Sequence, residues 1–216
     1  MDKVDILKAL EDDSKYYGEF GQQFISNSDI GKLLKNPTQF RKPQEMTKPM
    51  LEGRYFHTKI LEPHKLDEFK IIDASSRNTK IYSEAINEGE ILLLKKEQEV
   101  PEVEKIMTLD WKGKADIIHK HYIIDIKTTG DIDKFMYSAK TYNYDSQAYI
   151  YQRLFGKPLI FLVIDKRTAR LGIFKCSDSF LRGGMEKVAD AVAVYHKYFS
   201  DEATEDIHSY IHRQEL

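Results

Sequence analysis

A single cysteine, Cys176, is all the thiol that 216 residues carry. One cysteine builds no disulfide framework and no cysteine-ligated cluster within the chain. At the end of an apolar run it reads as a small buried thiol closing a strand. Long hydrophobic runs are missing too, since no apolar stretch approaches the roughly 20 residues that cross a bilayer. The opening MDKVDILKALEDDSKYY is acidic and amphipathic and lacks the apolar core of a signal peptide, so the expected setting is the cytoplasm. Neither sign of charge dominates: the net charge of −2 gives no global basic field to attract a polyanion, although a local basic groove is compatible with it. Repeats, low-complexity tracts and convincing linkers are absent. What is present is a hydrophobic fraction of 41% with 12% aromatic residues, which excludes wholesale disorder and suits one α/β domain over residues 1–216.

Hydrophobic spacing divides the chain into elements. Val4, Leu7 and Leu10 predict a short helix over residues 2–12. In FISNSDIGKLLKNPTQF, Asn27 or Ser28 is a candidate N-cap for a helix that Pro37 ends. A further helix is expected from near Pro49 to Leu61, with Leu51, Tyr55, Ile60 and Leu61 on its apolar face and His57 within it. FKIID suggests a short strand, and SSRNTKIYSEAINEG a polar loop entering a helix closed by Gly89. Residues 91–99 are charge-rich and predict a helix. From Val103 the pattern changes to strands, through VEKIMTLDW, GKADII and YIIDIK. Helix then covers roughly Ile132 to Phe155, broken near Thr141–Asn143, and LIFLVID with ARLGIFK suggests a hairpin around Lys166 and Arg167. Asp178 or Ser179 is a candidate cap for a last long helix reaching about Phe199, and the polar tail reads as a loosely packed helix.

The stretch GKADIIHKHYIIDIKTTG, residues 113–130, puts Asp116, Asp125 and Lys127 among core-like residues. If His119 and Lys120 form the turn, Asp116 faces Ile123 and Lys114 faces Asp125. A four-residue turn sets Asp116 opposite Asp125. Either way the two carboxylates and Lys127 share a face, while Ala115, Ile117, Ile124 and Ile126 form a packing surface on the other. Two carboxylates this close repel unless a proton or cation lies between them, and a hard divalent cation such as Mg²⁺ suits carboxylate and carbonyl oxygens. An exposed hairpin with solvated ion pairs explains the same spacing. The neighbouring histidines of HKH point to opposite faces of a strand and read as a solvated turn.

GKAD followed by IDIKTT resembles the core motif of the PD-(D/E)XK nuclease superfamily, in a G-x-x-D…D-x-K form. EGRYFHTKILEP, residues 52–63, is similar to the G-x-x-x-H helix of its RecB-like branch, with His57 in the histidine position. QAYIY matches that branch's Q-x-x-x-Y motif through Gln147 and Tyr151. The flanks SNSDIGKLLKNPTQF and SSRNTKIYSEA resemble phage-encoded and RecE-type exonucleases, so the likeness spans roughly residues 25–199. It implies a mixed central β-sheet flanked by helices. It implies that Asp116, Asp125 and the Ile126 carbonyl bind a divalent metal, Mg²⁺ or alternatively Mn²⁺, with His57 as a nitrogen ligand. Lys127 would position or activate the water that attacks a phosphodiester. The one cysteine excludes the iron–sulfur version of the branch. Gln147 and Tyr151, four apart on one helix face, would lie near the DNA backbone and the metal. Thr128 either bonds phosphate or ends its strand. Arg77 and Lys80 either contact phosphate or are solvated charges near a helix cap.

The expected activity is exonucleolytic, on linear DNA ends, in phage recombination or genome processing within a host cytoplasm. A ring-like homo-oligomer and a single-strand annealing protein are the partners the resemblance suggests. A structure- or site-specific endonuclease and a non-catalytic DNA-binding module on the same fold are the competing readings.

Overall fold

A computed structural model describes residues 1–62, 64–65, 97–168, 170–212 and 214. Among these residues, five strands form one sheet in sequence order: β1 (Glu97–Ile106), β2 (Leu109–Ile118), β3 (Ile123–Thr129), β4 (Leu159–Asp165) and β5 (Leu171–Lys175). Neighbours run antiparallel except β3 and β4, which are parallel. A parallel pair needs a long crossover, since the chain must return to the same end of the sheet. Here the crossover supplies two helices, α5 (Phe135–Thr141) and α6 (Tyr144–Phe155), with the expected break at Tyr142–Asn143, where Asn143 is left-handed at φ 59°. Each face of the sheet is covered. Numbering the earlier helices α1 (Lys3–Leu10), α2 (Asp13–Tyr17), α3 (Asn27–Lys35) and α4 (Lys48–Leu61), the last is α7 (Asp178–Tyr198).

On one face α6 packs with α7 and α3, burying Ile30, Leu33, Ala148, Ile150, Leu154 and Val188 with Ala115, Phe161 and Val163 of the sheet. On the other, Ile60 and Leu61 of α4 meet Ile117, Ile124, Ile126, Leu162 and Ile164. Burial on both faces is why β3 and β4 read as almost unbroken apolar runs. A small third cluster, Leu10, Tyr16, Phe24 and Val103, fixes the N-terminal helices to β1.

Several expectations are corrected. The helix expected over residues 91–99 fails at its described end, because Glu97 already begins β1, which runs to Ile106 across Pro101. Pro lacks a ladder donor, and β1 tolerates one because it is the edge strand. The cap of α3 is Ser26, whose N–H and hydroxyl both reach the Asp29 carboxylate at 2.9 Å. Ser177 caps α7 through Phe180 N–H. The first helix ends at Leu10, and α2, five residues long, follows it. Among the described residues, the tail carries a 3-10 turn, Ile207–Tyr210, and no further helix. FKIID and the helix expected to end at Gly89 lie outside the described residues, as do Arg77 and Lys80. Among the described residues, no helix is long and apolar enough to cross a membrane.

The glycine of GKAD has a packing reason. A Cβ on Gly113 would lie 2.7 Å from Leu154 Cδ1 and 2.8 Å from Tyr151 Cε1, so only glycine lets α6 settle on β2. Gly113→Val is expected to lower stability by about 1–3 kcal/mol, as overpacking does in well-filled interiors. Urea unfolding would show this as a lower midpoint at unchanged slope.

Candidate active site

The site forms where two strands part. The β2–β3 ladder contains Ile118↔Ile123 and Ile117↔Ile124, joined by a four-residue connection. This is the longer of the two turns considered, and it aligns Asp116 with Asp125. Beyond Ile117 the backbones separate, leaving the Ile126 N–H pointing toward β2 without a ladder carbonyl. Asp116 Oδ2 accepts it at 2.7 Å, so a side chain replaces a backbone bond and is itself held rigidly. The parting also changes which face Ala115 joins. It packs in the main core with α6, while Ile117, Ile124 and Ile126 pack under α4, so the four do not form the single surface the sequence suggested.

Asp125 is 2% exposed. Its Oδ1 accepts from Gln147 Nε2 at 2.7 Å, and its Oδ2 forms an ion pair with Lys127 Nζ at 2.6 Å. Oδ2 has no hydrogen-bond donor in good geometry, so charge alone holds it on that side. Lys127 Nζ also lies over the Tyr144 ring, 4.7 Å from its centroid. Burial opposes the ammonium, yet the carboxylate of Asp125, with Tyr144 and Asp116, holds its pKa above the ordinary lysine value. Gln147 and Tyr151 do face β2 and β3, but both are buried. The Tyr151 hydroxyl donates to the Lys114 carbonyl at 3.0 Å. Gln147 Nε2 and the Tyr151 hydroxyl are thus bonded to the sheet, where contact with the DNA backbone was expected. Thr128 is half-buried in β3.

From the opposite side, α4 brings His57. Its Nε2 is 2.7 Å from the Ile126 carbonyl oxygen and its Nδ1 is 3.5 Å from Asp116 Oδ2. A carbonyl only accepts, so Nε2 carries the proton and the Nδ1 lone pair is the one free to bind a cation. The Ile126 carbonyl is thus engaged by the imidazole.

The residue that sequence reasoning missed is Glu99. It lies across from Asp116 in β1, where the otherwise regular β1–β2 pairing is interrupted, and its φ of 52° is left-handed. Ligand atoms of His57, Glu99 and Asp116 lie within 4.8 Å of one another. Burial, with repulsion from Asp116 and Glu62, pushes the Glu99 carboxyl up to about 8. Burial raises Asp116 to about 6, against the opposing pull of His57. The carboxylates of Glu99 and Asp116 and the imidazole of His57 form an oxygen-rich donor set with one nitrogen, and that fits a hard divalent cation. A recognisable signal existed: the strand pair turns at Met107–Thr108, and counting back from it sets Glu99 against Asp116.

Basic residues of the β4–β5 turn are paired locally, Arg170 with Asp133 at 3.1 Å and Arg167 with Asp131 at 3.6 Å. His119 packs on Tyr122 with ring centroids 4.2 Å apart, in keeping with a turn.

No curated protein sequence matches this chain. Among solved structures, a candidate exonuclease from Eubacterium rectale superposes with a TM-score of 0.71 over 93% of this chain and 94% of its own, at 17% identity. A phage-related exonuclease from Haemophilus somnus 129PT aligns at 17% identity over 81% of this chain and 94% of its own, with a TM-score of 0.41. The first likeness establishes the architecture, a mixed five-stranded sheet between helices. A family model described as a PDDEXK-like domain of unknown function (DUF3799) matches residues 92–206, a span that begins before Glu99 and contains Asp116, Asp125 and Lys127. The fold agrees with the family model, and the chain belongs to the PDDEXK-like domain family DUF3799.

Proposed function

We propose that this protein is a divalent-metal-dependent deoxyribonuclease that digests linear DNA from its ends. The observation that carries the reading is the convergence of His57, Glu99, Asp116, Asp125 and Lys127 on the parted strands β2 and β3. His57, Glu99 and Asp116 would hold Mg²⁺, with Mn²⁺ as the alternative; the resemblance adds Asp125 and the Ile126 carbonyl, which in this structure bond Lys127 and His57. When bound, such a cation polarises a phosphoryl oxygen and lowers the pKa of water at neutral pH.

The chain's own groups do the rest. Lys127 presents a fixed positive charge, gripped by Asp125 and backed by the Tyr144 ring. It orients the attacking water and stabilises negative charge developing on the phosphoryl oxygens. Gln147 fixes the Asp125 carboxylate, and the Ile126 carbonyl fixes the His57 tautomer. A new P–O bond forms to water as the ester P–O bond breaks; the water's proton passes to solvent, and the departing sugar oxygen takes a proton from solvent to leave as a hydroxyl.

Preference for ends, a role in phage recombination, work in a host cytoplasm, a ring-like oligomer and an annealing-protein partner rest on the resemblance of the flanks to RecE-type exonucleases. The name of the Eubacterium rectale neighbour points the same way.

End-labelled linear duplex, linear single strand and closed circular DNA, each with Mg²⁺, Mn²⁺ or chelator, test this directly. Linear DNA should disappear only with metal, and Asp125→Ala and Lys127→Ala should each lower the rate by about 10²-fold or more. Cleaved circles would replace the exonuclease with an endonuclease, and binding of DNA without cleavage would replace both with a binding module. Gln147→Leu, which leaves Asp125 Oδ1 without its donor, should fold and should lose about 10–100-fold in kcat. Saturating Mg²⁺ should raise the Tm, by about 2.7 kcal/mol of stability at a hundredfold excess over Kd. In scanning fluorimetry, Glu99→Ala should shrink that rise.

A further inference from the structure

Helix α2 reaches the rim of the site. Asp13 Oδ1 pairs with Lys114 Nζ at 2.6 Å, and Lys114 lies two residues before Asp116 on the same side of β2. Asp13 Oδ2 pairs with Lys65 Nζ at 2.9 Å, just beyond the end of α4, and Lys65 also pairs with Glu62 at 2.5 Å. One carboxylate thus joins α2 to the strand that carries Asp116 and to the segment following the helix that carries His57. Tyr17 is four residues beyond Asp13, so both side chains occupy the same face of α2.

Tyr17 is 70% exposed, which is unusual for an aromatic held against a charged cluster. Its mount is rigid. The neighbouring Tyr16 is buried, with Lys112 Nζ 4.1 Å and Lys114 Nζ 4.7 Å from its ring centroid. The Tyr17 ring meets Tyr16 edge-on, with centroids 5.0 Å apart at 73°. The chain turns away directly after it, and a Cβ on Gly18 would lie 2.3 Å from the Ser14 carbonyl oxygen, so glycine is required there. Burial and the charges of Asp13, Glu99 and Asp116 push the Tyr17 hydroxyl up to about 12, against the pull of Arg54. Arg54 is exposed on α4, three residues before His57, and supplies a cation on the same rim.

An exposed aromatic on a rigid mount, beside a cation and next to a cluster suited to a phosphodiester, matches the two sides of a nucleotide. We propose that Tyr17 is a stacking platform for the unpaired base at the end of the DNA strand whose phosphodiester enters the site, with Arg54 beside it for the phosphate. This rests on the nuclease reading above. It adds a specificity element that lies outside the metal-ligand cluster, and it makes the enzyme favour ends whose last base is free to unstack. Base–aromatic stacking tolerates any sequence, because every base has a π face.

The test is equilibrium binding of the full-length protein, in chelator, to three short single-stranded oligodeoxynucleotides. One is intact, one carries an abasic nucleotide at its 5′ end, and one carries it at its 3′ end. Tyr17→Ala should weaken binding of the intact strand by about 5- to 100-fold, while Tyr17→Phe binds as wild type does. The difference between wild type and Tyr17→Ala should vanish with one of the abasic strands, and which one names the end that the enzyme grips. With Mg²⁺, KM should rise in Tyr17→Ala at little change in kcat. If wild type digests DNA but Tyr17→Ala binds and digests as it does, the platform is overturned and the nuclease stands. The platform is likewise overturned, and the nuclease kept, if the Tyr17→Ala loss is equal on all three strands. If wild type neither binds nor digests any DNA, both readings fall together.

Discussion

Everything in the site depends on the place where β2 and β3 stop pairing. Had the ladder continued past Ile117, the Ile126 N–H would have bonded to backbone, and Asp116 would have had no reason to turn inward. The carboxylate instead completes the interrupted ladder from the side, which satisfies a buried donor and places negative charge in the gap. His57 closes the gap from the α4 side by donating to the carbonyl of the same residue. One peptide segment, Ile126, therefore supplies the donor and the acceptor that orient two of the site's polar groups.

The same parting sorts the other groups by face. Asp125 and Lys127 project toward α6, where Gln147 and Tyr144 meet them, while Ile124 and Ile126 remain in the apolar layer beneath α4. The charged groups are close because adjacent strands carry them. They remain distinct because helices on opposite sides of the sheet hold them. Burial raises the energy of that arrangement, and Lys127 offsets part of it, through its ion pair with Asp125 and its attraction to Asp116. Glu99 and Asp116 lie across from each other and repel, and burial with repulsion between carboxylates holds both carboxyls above the ordinary range.

How much of this was legible in the sequence follows from the range of each interaction. Asp116, Asp125 and Lys127 could be read because strand alternation is local and a four-residue turn was one of two simple options. Gly113, Gln147 and Tyr151 were visible as motif letters, but their roles were not. Tyr151 looked like a surface contact until the helix was seen resting on Gly113, with the phenol bonded inward. Glu99 was hidden by its surroundings, where dense charge and Pro101 suggested anything but a strand. Its meaning depends on a cross-strand partner seventeen positions away. Helix α2 escaped notice because five residues carry too little periodicity.

The contact between His57 and Ile126 joins positions 69 residues apart. The entropic cost of closing such a span grows only with the logarithm of its length, so doubling it would add about 0.6 kcal/mol. That is less than the roughly 1 kcal/mol a single buried hydrogen bond contributes. A contact so distant in sequence therefore costs little more entropy to close than one half its span, and its own hydrogen bond offsets the difference.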